Sequence, residues 1–212
     1  MTAVMGLRER KKAETRLAIA TAALALAEAH GPDGVTVDDI AAHAGVSPRT
    51  VFNYFATKDE AILGIDPEAR EAVRAAIVDR PAHEAPVDAV GAVLVERVAD
   101  PAFGRRWRTR ARLVREHPQL HMARASSLRA YEDLIAEAVA ARTNLDPSRH
   151  VYPRLVAAAT LSALRVVVDL TADEQDPARL RAALLDAFAV LTAGFPPPPR
   201  PSRPSAPRSR RP

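Results

Sequence analysis

The sequence contains no cysteine, and aromatic residues make up only 4% of its 212 positions. The lack of cysteine excludes disulfide bonds, thiolate catalysis and cysteine-ligated zinc sites. No unbroken apolar stretch approaches the roughly 20 residues that a membrane-spanning helix requires. The charged cluster at residues 8–12 follows the short apolar start, whereas a signal peptide has the opposite order. We therefore expect a cytoplasmic protein that has no membrane partner.

Charge is nearly balanced outside the C-terminal tail. The net charge is +4, and the tail at residues 195–212 holds five arginines and no acid, so subtracting its +5 leaves −1 for the rest. A sequence-indifferent architectural DNA binder would need a basic body, so this balance argues against that class. Because the tail is rich in proline and arginine and cannot bury a core, we expect it to be disordered.

The remaining composition favours helices. Alanine, leucine, arginine and glutamate are strong helix formers, and the valines follow helical rather than alternating spacing. Proline suits the first turn of a helix, so the Pro and Asp-Pro breaks mark where helices start. We expect an all-α fold of about nine helices: residues 11–30, a short helix after Thr36, then 48–54, 57–80, 86–99, 102–116, 118–142, 148–171 and 177–193.

The most informative segment reads TVDDIAAHAGVSPRTVFNYFATK, from Thr36 to Lys58. Thr36 is an N-cap, Gly45 suits a tight turn, and Ser47 with the proline after it restarts the chain as a second short helix. Two short helices joined by such a turn form a helix-turn-helix. The outer face of the second helix carries donors and apolar groups suited to base edges and phosphates, at Arg49, Thr50, Asn53 and Tyr54.

This segment resembles the DNA-binding domain of the tetracycline-repressor (TetR) family. The resemblance rests on residues at fixed spacing, namely Thr36, Val37, Ile40, Ala41, Ala44 to Ser47, Thr50, Val51, Phe52, Tyr54, Phe55 and Lys58. It implies that the major groove is met by Pro48, Arg49, Thr50 and Asn53. It also implies that phosphates are held by Thr36, Tyr54 and Lys58, with Thr36 at a helix N-terminus that favours anions.

Ser47 and Phe52 complete the predicted DNA-binding set. The family often has tyrosine where this chain has Phe52, so a hydroxyl contact to phosphate is lost while ring contact to a thymine methyl is retained. The alternative for Phe52 and Tyr54 is that they mainly pack against the following helix. Ser47 is a helix cap whether or not DNA is bound.

The run at residues 110–168 resembles the acyl-CoA-like ligand-binding domain of the TetR branch that includes mycofactocin regulators. The matching stretches are LVREHPQL, YEDLIAEAVAARTNLDP and VYPRLVAAATLSALRVVV. The resemblance implies a pocket among the fourth to eighth helices and a homodimer formed through the last two. We thus expect a helix-turn-helix DNA-binding domain at 1–57, a helical ligand-binding and dimerisation bundle at 58–194, and the tail at 195–212.

Arginine crowds the predicted helix at 102–116. One stripe is formed by Arg105, Arg108, Arg112 and Arg115. It is either a solvated face or an edge that binds the phosphates of a coenzyme A nucleotide, because guanidinium groups suit phosphate. Phe103 and Trp107 either line a pocket mouth or belong to the core. The candidate ligand-binding residues are Phe103, Arg106, Trp107 and Arg110.

No enzymatic or metal chemistry stands out. His117 and His121 have a metal-binding spacing, but Pro118 lies between them and no third ligand is evident nearby. An all-helical enzyme or carrier is the alternative class, yet it would have no need of the polar outer face at residues 49–54. We expect a non-enzymatic, sequence-specific regulator without a cofactor. In this interpretation it is a repressor that a small apolar effector, such as an acyl-CoA, releases from a palindromic double-stranded DNA operator.

Overall fold

The computed structural model describes residues 7–171 and 176–195. These residues form ten α-helices, two short 3-10 turns and no strand, which confirms the predicted all-α fold. The 3-10 turns are Pro32–Gly34 and Pro118–Leu120. The predicted tail lies outside the described residues except for Phe195. The helices are α1 Leu7–His30, α2 Val37–Ala44, α3 Pro48–Tyr54, α4 Lys58–Leu63, α5 Pro67–Val78, α6 Pro86–Ala99, α7 Pro101–Glu116, α8 His121–Thr143, α9 Val151–Leu170 and α10 Pro177–Thr192.

The buried apolar residues form two clusters. One joins α1 to α4, which we call the head, and the other joins α5 to α10, which we call the body. The head cluster also contains three residues from the end of α7 and the turn after it: Leu113, Val114 and Leu120. These side chains are at most 5% exposed. The body therefore completes the core of the head.

The ends of α2 and α3 are set by local capping bonds. The Thr36 hydroxyl accepts a hydrogen bond from the Asp39 amide (3.1 Å), and the Asp39 carboxylate accepts one from the Thr36 amide (2.9 Å). The Thr36 hydroxyl also donates to the Asp39 carboxylate (2.6 Å), and this bond, together with the one from the Thr36 amide, holds the pKa of Asp39 below its usual value. Gly45, with φ of 67°, ends α2 in a left-handed conformation. Ser47 then caps α3, whose bounds confirm the prediction of a helix at 48–54.

The predicted single helix at 57–80 is wrong, because the chain breaks between α4 and α5. Gly64, with φ of 61°, ends α4, and the Asp66 side chain accepts the Glu68 amide as the N-cap of α5. Pro67 occupies the first turn of α5, where its missing N–H costs nothing. This break accounts for the tenth helix. We call residues 64–66 the α4–α5 joint.

Helix α9 is the most apolar of the long helices. By length and composition alone it is able to cross a bilayer. Polar residues interrupt its apolar residues, so the sequence contains no unbroken apolar stretch at this position. One side is buried in the body at Pro153, Val156, Ala157, Thr160, Leu161, Leu164, Val167 and Val168. This burial is typical of a core helix. The opposite side of α9 exposes a second apolar stripe, formed by Val151, Leu155, Val166 and Leu170.

Candidate functional site

Helix α3 presents a polar and apolar outer face while its inner side anchors it. Val51 and, just after the helix, Phe55 are 1% and 2% exposed in the head core. The Ser47 hydroxyl accepts the Thr50 amide at 3.1 Å. Predicted DNA-facing residues lie on the exposed side, namely Pro48, Arg49, Phe52 and Asn53, with Thr50 half-buried. The inner side of α3 is therefore packed in the head core, and its outer side is exposed.

Two of these side chains, Arg49 and Phe52, lie on the exposed face, where contacts among the described residues do not account for them. Within the described residues, Arg49 forms no hydrogen bond or ion pair, and Phe52 is 57% exposed. Exposing a phenylalanine ring costs free energy unless a partner covers it. The placement of Phe52 thus favours contact with a partner over packing against the next helix.

Tyr54 and Lys58, predicted to hold phosphates, make internal contacts in the protein without DNA. The Tyr54 ring is half-buried beside the head core. The Arg16 guanidinium lies 5.4 Å from the centre of this ring and donates a hydrogen bond to the Tyr54 backbone carbonyl (2.8 Å). The Lys58 ammonium donates to the carbonyls of Pro32 (2.9 Å) and Val35 (3.1 Å). Lys58 therefore fastens the start of α4 to the segment that precedes α2. Its phosphate contact remains a prediction.

Arg16 connects the end of α3 to the α4–α5 joint. Besides the Tyr54 carbonyl, its guanidinium donates to the Ile65 carbonyl at 3.1 Å and lies 3.6 Å from the Asp66 carboxylate. It also stacks over Phe55 at 5.0 Å. One side chain thus contacts both the α4–α5 joint and the C-terminal end of α3.

The four predicted ligand residues lie on the inward side of α7. Phe103 and Trp107 pack edge to face with ring centroids 5.8 Å apart, against the body core. Arg106 and Arg110 are half-buried beside them. The Arg110 Nε donates to the Ile62 carbonyl at 3.0 Å, at the C-terminal end of α4. One helix thus carries both the predicted ligand residues and a contact to the head.

The neighbouring helices contribute three residues that sequence reasoning missed. Arg97 of α6 lies 4.7 Å above the Phe103 ring, and Arg70 of α5 lies 5.9 Å from the ring of Tyr131 on α8. In the stretch VLVERVA, Arg97 stands next to Glu96, so the sequence does not distinguish it from a residue on a solvated helix face. We call Arg70, Arg97, Arg106 and Arg110 the arginine cluster.

Burial shifts the titration of this group. It lowers the pKa of Arg110 to about 10, with a further lowering from the Arg106 charge. Burial also raises the pKa of Tyr131, against the opposing effect of Arg97 and Arg70. At neutral pH Arg110 is therefore charged, and Tyr131 is a neutral hydroxyl that can donate a hydrogen bond.

The other predicted feature of α7, its arginine stripe, faces outward. Arg105, Arg112 and Arg115 are exposed, and Arg108 is half-buried. Arg112 pairs with Glu28 of α1 at 2.5 Å, with both side chains nearly half exposed. This arrangement favours the solvated-face interpretation over a phosphate-binding edge.

The histidine pair shows no metal-binding arrangement. The His121 ring nitrogen Nε2 lies 2.9 Å from the Val114 carbonyl. Across residues 7–171 and 176–195, no group of three or more histidine and acidic side chains is placed to hold a metal ion.

Comparison with protein families identifies both halves of the chain. A profile described as bacterial regulatory proteins, tetR family, matches residues 19–63. A second profile, the MftR C-terminal domain, matches residues 84–196, more than half of the chain. The first covers the helix-turn-helix and the second covers the part that holds Arg97, α7 and Tyr131.

Two relatives match over most of the sequence. TcmR, an HTH-type transcriptional regulator of Streptomyces glaucescens, is 34% identical over 169 residues, 76% of this chain and 75% of TcmR. MftR of Mycobacterium tuberculosis, named as a mycofactocin biosynthesis transcriptional regulator, is 31% identical over 189 residues, 88% of this chain and 93% of MftR.

Solved structures share the fold at lower identity. SmeT of Stenotrophomonas maltophilia, in its triclosan complex, is 20% identical with a TM-score of 0.59 over 85% of this chain and 91% of SmeT. Thermus thermophilus FadR, a repressor in complex with lauroyl-CoA, is 23% identical with a TM-score of 0.52 over 89% of this chain and 99% of FadR.

The fold and the exposed face of α3 define a helix-turn-helix protein with a helical body. Together with the two profiles and the two relatives, they show that the chain belongs to the TetR family of bacterial regulatory proteins. It is therefore a DNA-binding transcriptional regulator and not an enzyme.

Proposed function

We propose that the protein is a homodimeric repressor that a small apolar ligand releases from a palindromic operator. The observation that carries the proposal is the outer face of α3, where Arg49 has no partner among the described residues and Phe52 is 57% exposed. The protein acts in the cytoplasm and is associated with the nucleoid when it is bound to DNA. The proposed base and groove contacts are Pro48, Arg49, Thr50, Phe52 and Asn53.

The phosphate contacts that we propose flank this face. Thr36 is exposed at the N-terminus of α2, where free amides and the helix dipole favour a phosphate. Tyr54 lies at the C-terminal end of α3, and Ser47 at its start. The Lys58 ammonium has three donors, of which two are used by the carbonyls of Pro32 and Val35, so one remains for a phosphate.

The two α3 helices of a dimer should meet successive major grooves, about 34–36 Å apart. Footprinting on the DNA around its own gene should reveal a near-palindromic site with half-sites about one helical turn apart, or slightly more. Fluorescence anisotropy should give nanomolar affinity for that site. Protection that is uniform along the DNA and independent of sequence would rule out a specific operator.

The proposed dimer interface lies on α9 and α10. The exposed stripe of α9 carries Val151, Leu155, Val166 and Leu170, which are 78%, 66%, 46% and 81% exposed, and α10 adds Leu185 and Val190 at about 42–43%. Such an apolar patch on a helical protein is typical of an interface. Sedimentation of Leu155→Glu should give a monomer, with Arg154→Glu on the same helix as the control that stays dimeric.

The candidate effector is an acyl-CoA. Support comes from the match to the MftR C-terminal domain and from the apolar and cationic character of the α7 residues Phe103, Arg106, Trp107 and Arg110. Calorimetry and operator release with an acyl-CoA panel test this, beside Arg106→Ala and Arg110→Ala. If no acyl-CoA binds, or if binding ignores both arginines, the effector is of another class while the DNA-binding function stands.

A further inference from the structure

We propose that the arginine cluster and Tyr131 bind the anionic group of an apolar ligand, and that Arg110 transmits the occupancy of this site to the head. This rests on the proposed function, because it concerns the effector that controls operator binding. It commits to a chemical class, a carboxylate or phosphate attached to an apolar body, and to residues on four helices.

Within the described residues, the arginine cluster has no carboxylate in ion-pair contact, and the Asp100 carboxylate interacts with Arg106 only from a longer distance. Two other half-buried arginines of this protein have carboxylate partners: Arg16 has Asp66, and Arg80 has Glu84 at 2.5 Å. A third, Arg142, donates to backbone carbonyls instead. Among the described residues, none of the four cluster arginines forms an ion pair. Removing guanidinium groups from water without a counter-charge costs free energy, and a bound anion would offset that cost.

The surroundings of these charges suit an anion that carries an apolar body. The Phe103 and Trp107 rings pack against the body core and give an apolar wall. Above that wall, the Arg97 Nε is buried and lacks a hydrogen-bond partner within the described chain. Guanidinium groups bind carboxylate and phosphate with two parallel hydrogen bonds, and the Tyr131 hydroxyl adds another donor. Both anions fit this geometry.

Arg110 belongs to this cluster and to the α4–α5 joint at the same time. Its Nε donates to the Ile62 carbonyl at 3.0 Å, and its guanidinium lies against Gly64, where a Cβ would come within 2.5 Å of its Cζ. An anion that recruits this guanidinium competes with the Ile62 carbonyl. Occupancy of the site therefore weakens a tie between the body and α4.

The loss of the Arg110–Ile62 hydrogen bond affects the DNA-binding face through a small number of neighbouring residues. On the opposite side of the joint, Arg16 holds the Ile65 carbonyl and the Asp66 carboxylate, and also the carbonyl at the end of α3. One turn beyond Arg110, Leu113 and Val114 of α7 are buried in the head core. A ligand that prefers the state without the Arg110–Ile62 bond shifts the population of head orientations towards it.

The protein contains a single tryptophan, Trp107, which lies in the proposed site. Its fluorescence reports binding there without an added label. We would titrate the full-length protein with octanoate, dodecanoate and hexadecanoate, with dodecyl phosphate and with dodecanol. The anions should change the Trp107 emission and bind at least tenfold more tightly than dodecanol, and the two headgroups distinguish a carboxylate site from a phosphate site. Equal affinity for dodecanol, or no response to any anion, would overturn the anion site.

Variants separate binding from transmission. Arg97→Gln should weaken the tightest anion at least tenfold, whereas Arg105→Gln, the same change on the exposed side of α7, should leave both anion and operator binding as in the wild type. Without anion, Arg110→Gln should already bind operator DNA more weakly than the wild type, because it lacks the bond to the Ile62 carbonyl. Saturating anion should release the wild type from operator DNA and change the operator affinity of Arg110→Gln little. Normal release by Arg110→Gln would refute its role in transmission, and a melting curve would verify that it folds.

The two proposals fail in different ways. If the unliganded protein binds no specific DNA sequence, the proposed function is wrong, yet the Trp107 titration still measures the anion site. If operator binding is specific but Arg97→Gln binds dodecanoate and dodecyl phosphate as the wild type does, the anion site is wrong and the regulator remains.

Discussion

Replacing Gly64 with alanine tests how closely the body packs on the α4–α5 joint. Gly64 has φ of 61°, and a left-handed conformation costs a residue with a Cβ roughly 1–2 kcal/mol. The new Cβ would also collide with the Arg110 guanidinium and displace it from the Ile62 carbonyl. A hydrogen bond from a partly exposed charged group is worth about 1.5 kcal/mol, so we expect a total loss of about 2.5–3.5 kcal/mol.

Gly45 supplies a matched control for this substitution. Its φ is 67°, and a Cβ there would meet no atom within 4 Å. Gly45→Ala should therefore cost only the conformational part, about 1–2 kcal/mol. For a protein of this size the difference of about 1.5 kcal/mol corresponds to about 3–6 °C in melting temperature, measurable by calorimetry. Equal destabilisation by the two substitutions would refute the energetic importance of the Arg110 contact.

Other expectations concern the head and the tail. Arg49→Ala should weaken operator binding by about 1–3 kcal/mol and relax preference at one base pair; equal losses on all mismatched sites in anisotropy measurements would contradict this. Lys58→Met should lower stability in urea by about 1–3 kcal/mol, because two carbonyls lose their donor, and should also reduce the salt slope of DNA binding by about one. The lowered Asp39 pKa means that its cap stabilises the fold above the unfolded value of 3.8 and is lost as pH falls below it; melting curves of wild type and Asp39→Asn should converge in acid, and an acid-independent gap would count against the cap. Deleting residues 196–212 should leave the melting temperature unchanged and reduce non-specific DNA affinity at low salt, since five arginines are removed; a large drop in melting temperature would show that the tail docks.

The head was predictable because its signals are local. Thr36, Gly45 and Ser47 each act within four residues through a cap or a turn, and α3 has the predicted bounds. The break after Gly64 was also encoded locally, by a glycine, an N-cap aspartate and Pro67 in sequence. It was missed because helical apolar spacing continues on both sides, and periodicity alone does not show that an axis has changed direction.

The cluster around Tyr131 had no comparable local signal. Arg97 and Tyr131 are brought together by the packing of separate helices, and nothing in the spacing of either residue specifies its neighbour across that contact. The same holds for Lys58, whose internal carbonyl partners lie 23 and 26 residues away. The inward side of α7 was predicted from its residue types, whereas the residues that complete it required the fold.

The burial of Leu113, Val114 and Leu120 in the head has a consequence for protein engineering. Regulators of this kind invite the exchange of DNA-binding heads between relatives, with the crossover placed before the first helix of the body. In this protein such a chimera would join a foreign α1–α4 to side chains shaped for the original core, and mismatched volumes in a packed core typically cost 1–3 kcal/mol. A graft that also carries the end of α7 and the turn at residues 118–120 keeps both sides of that core together.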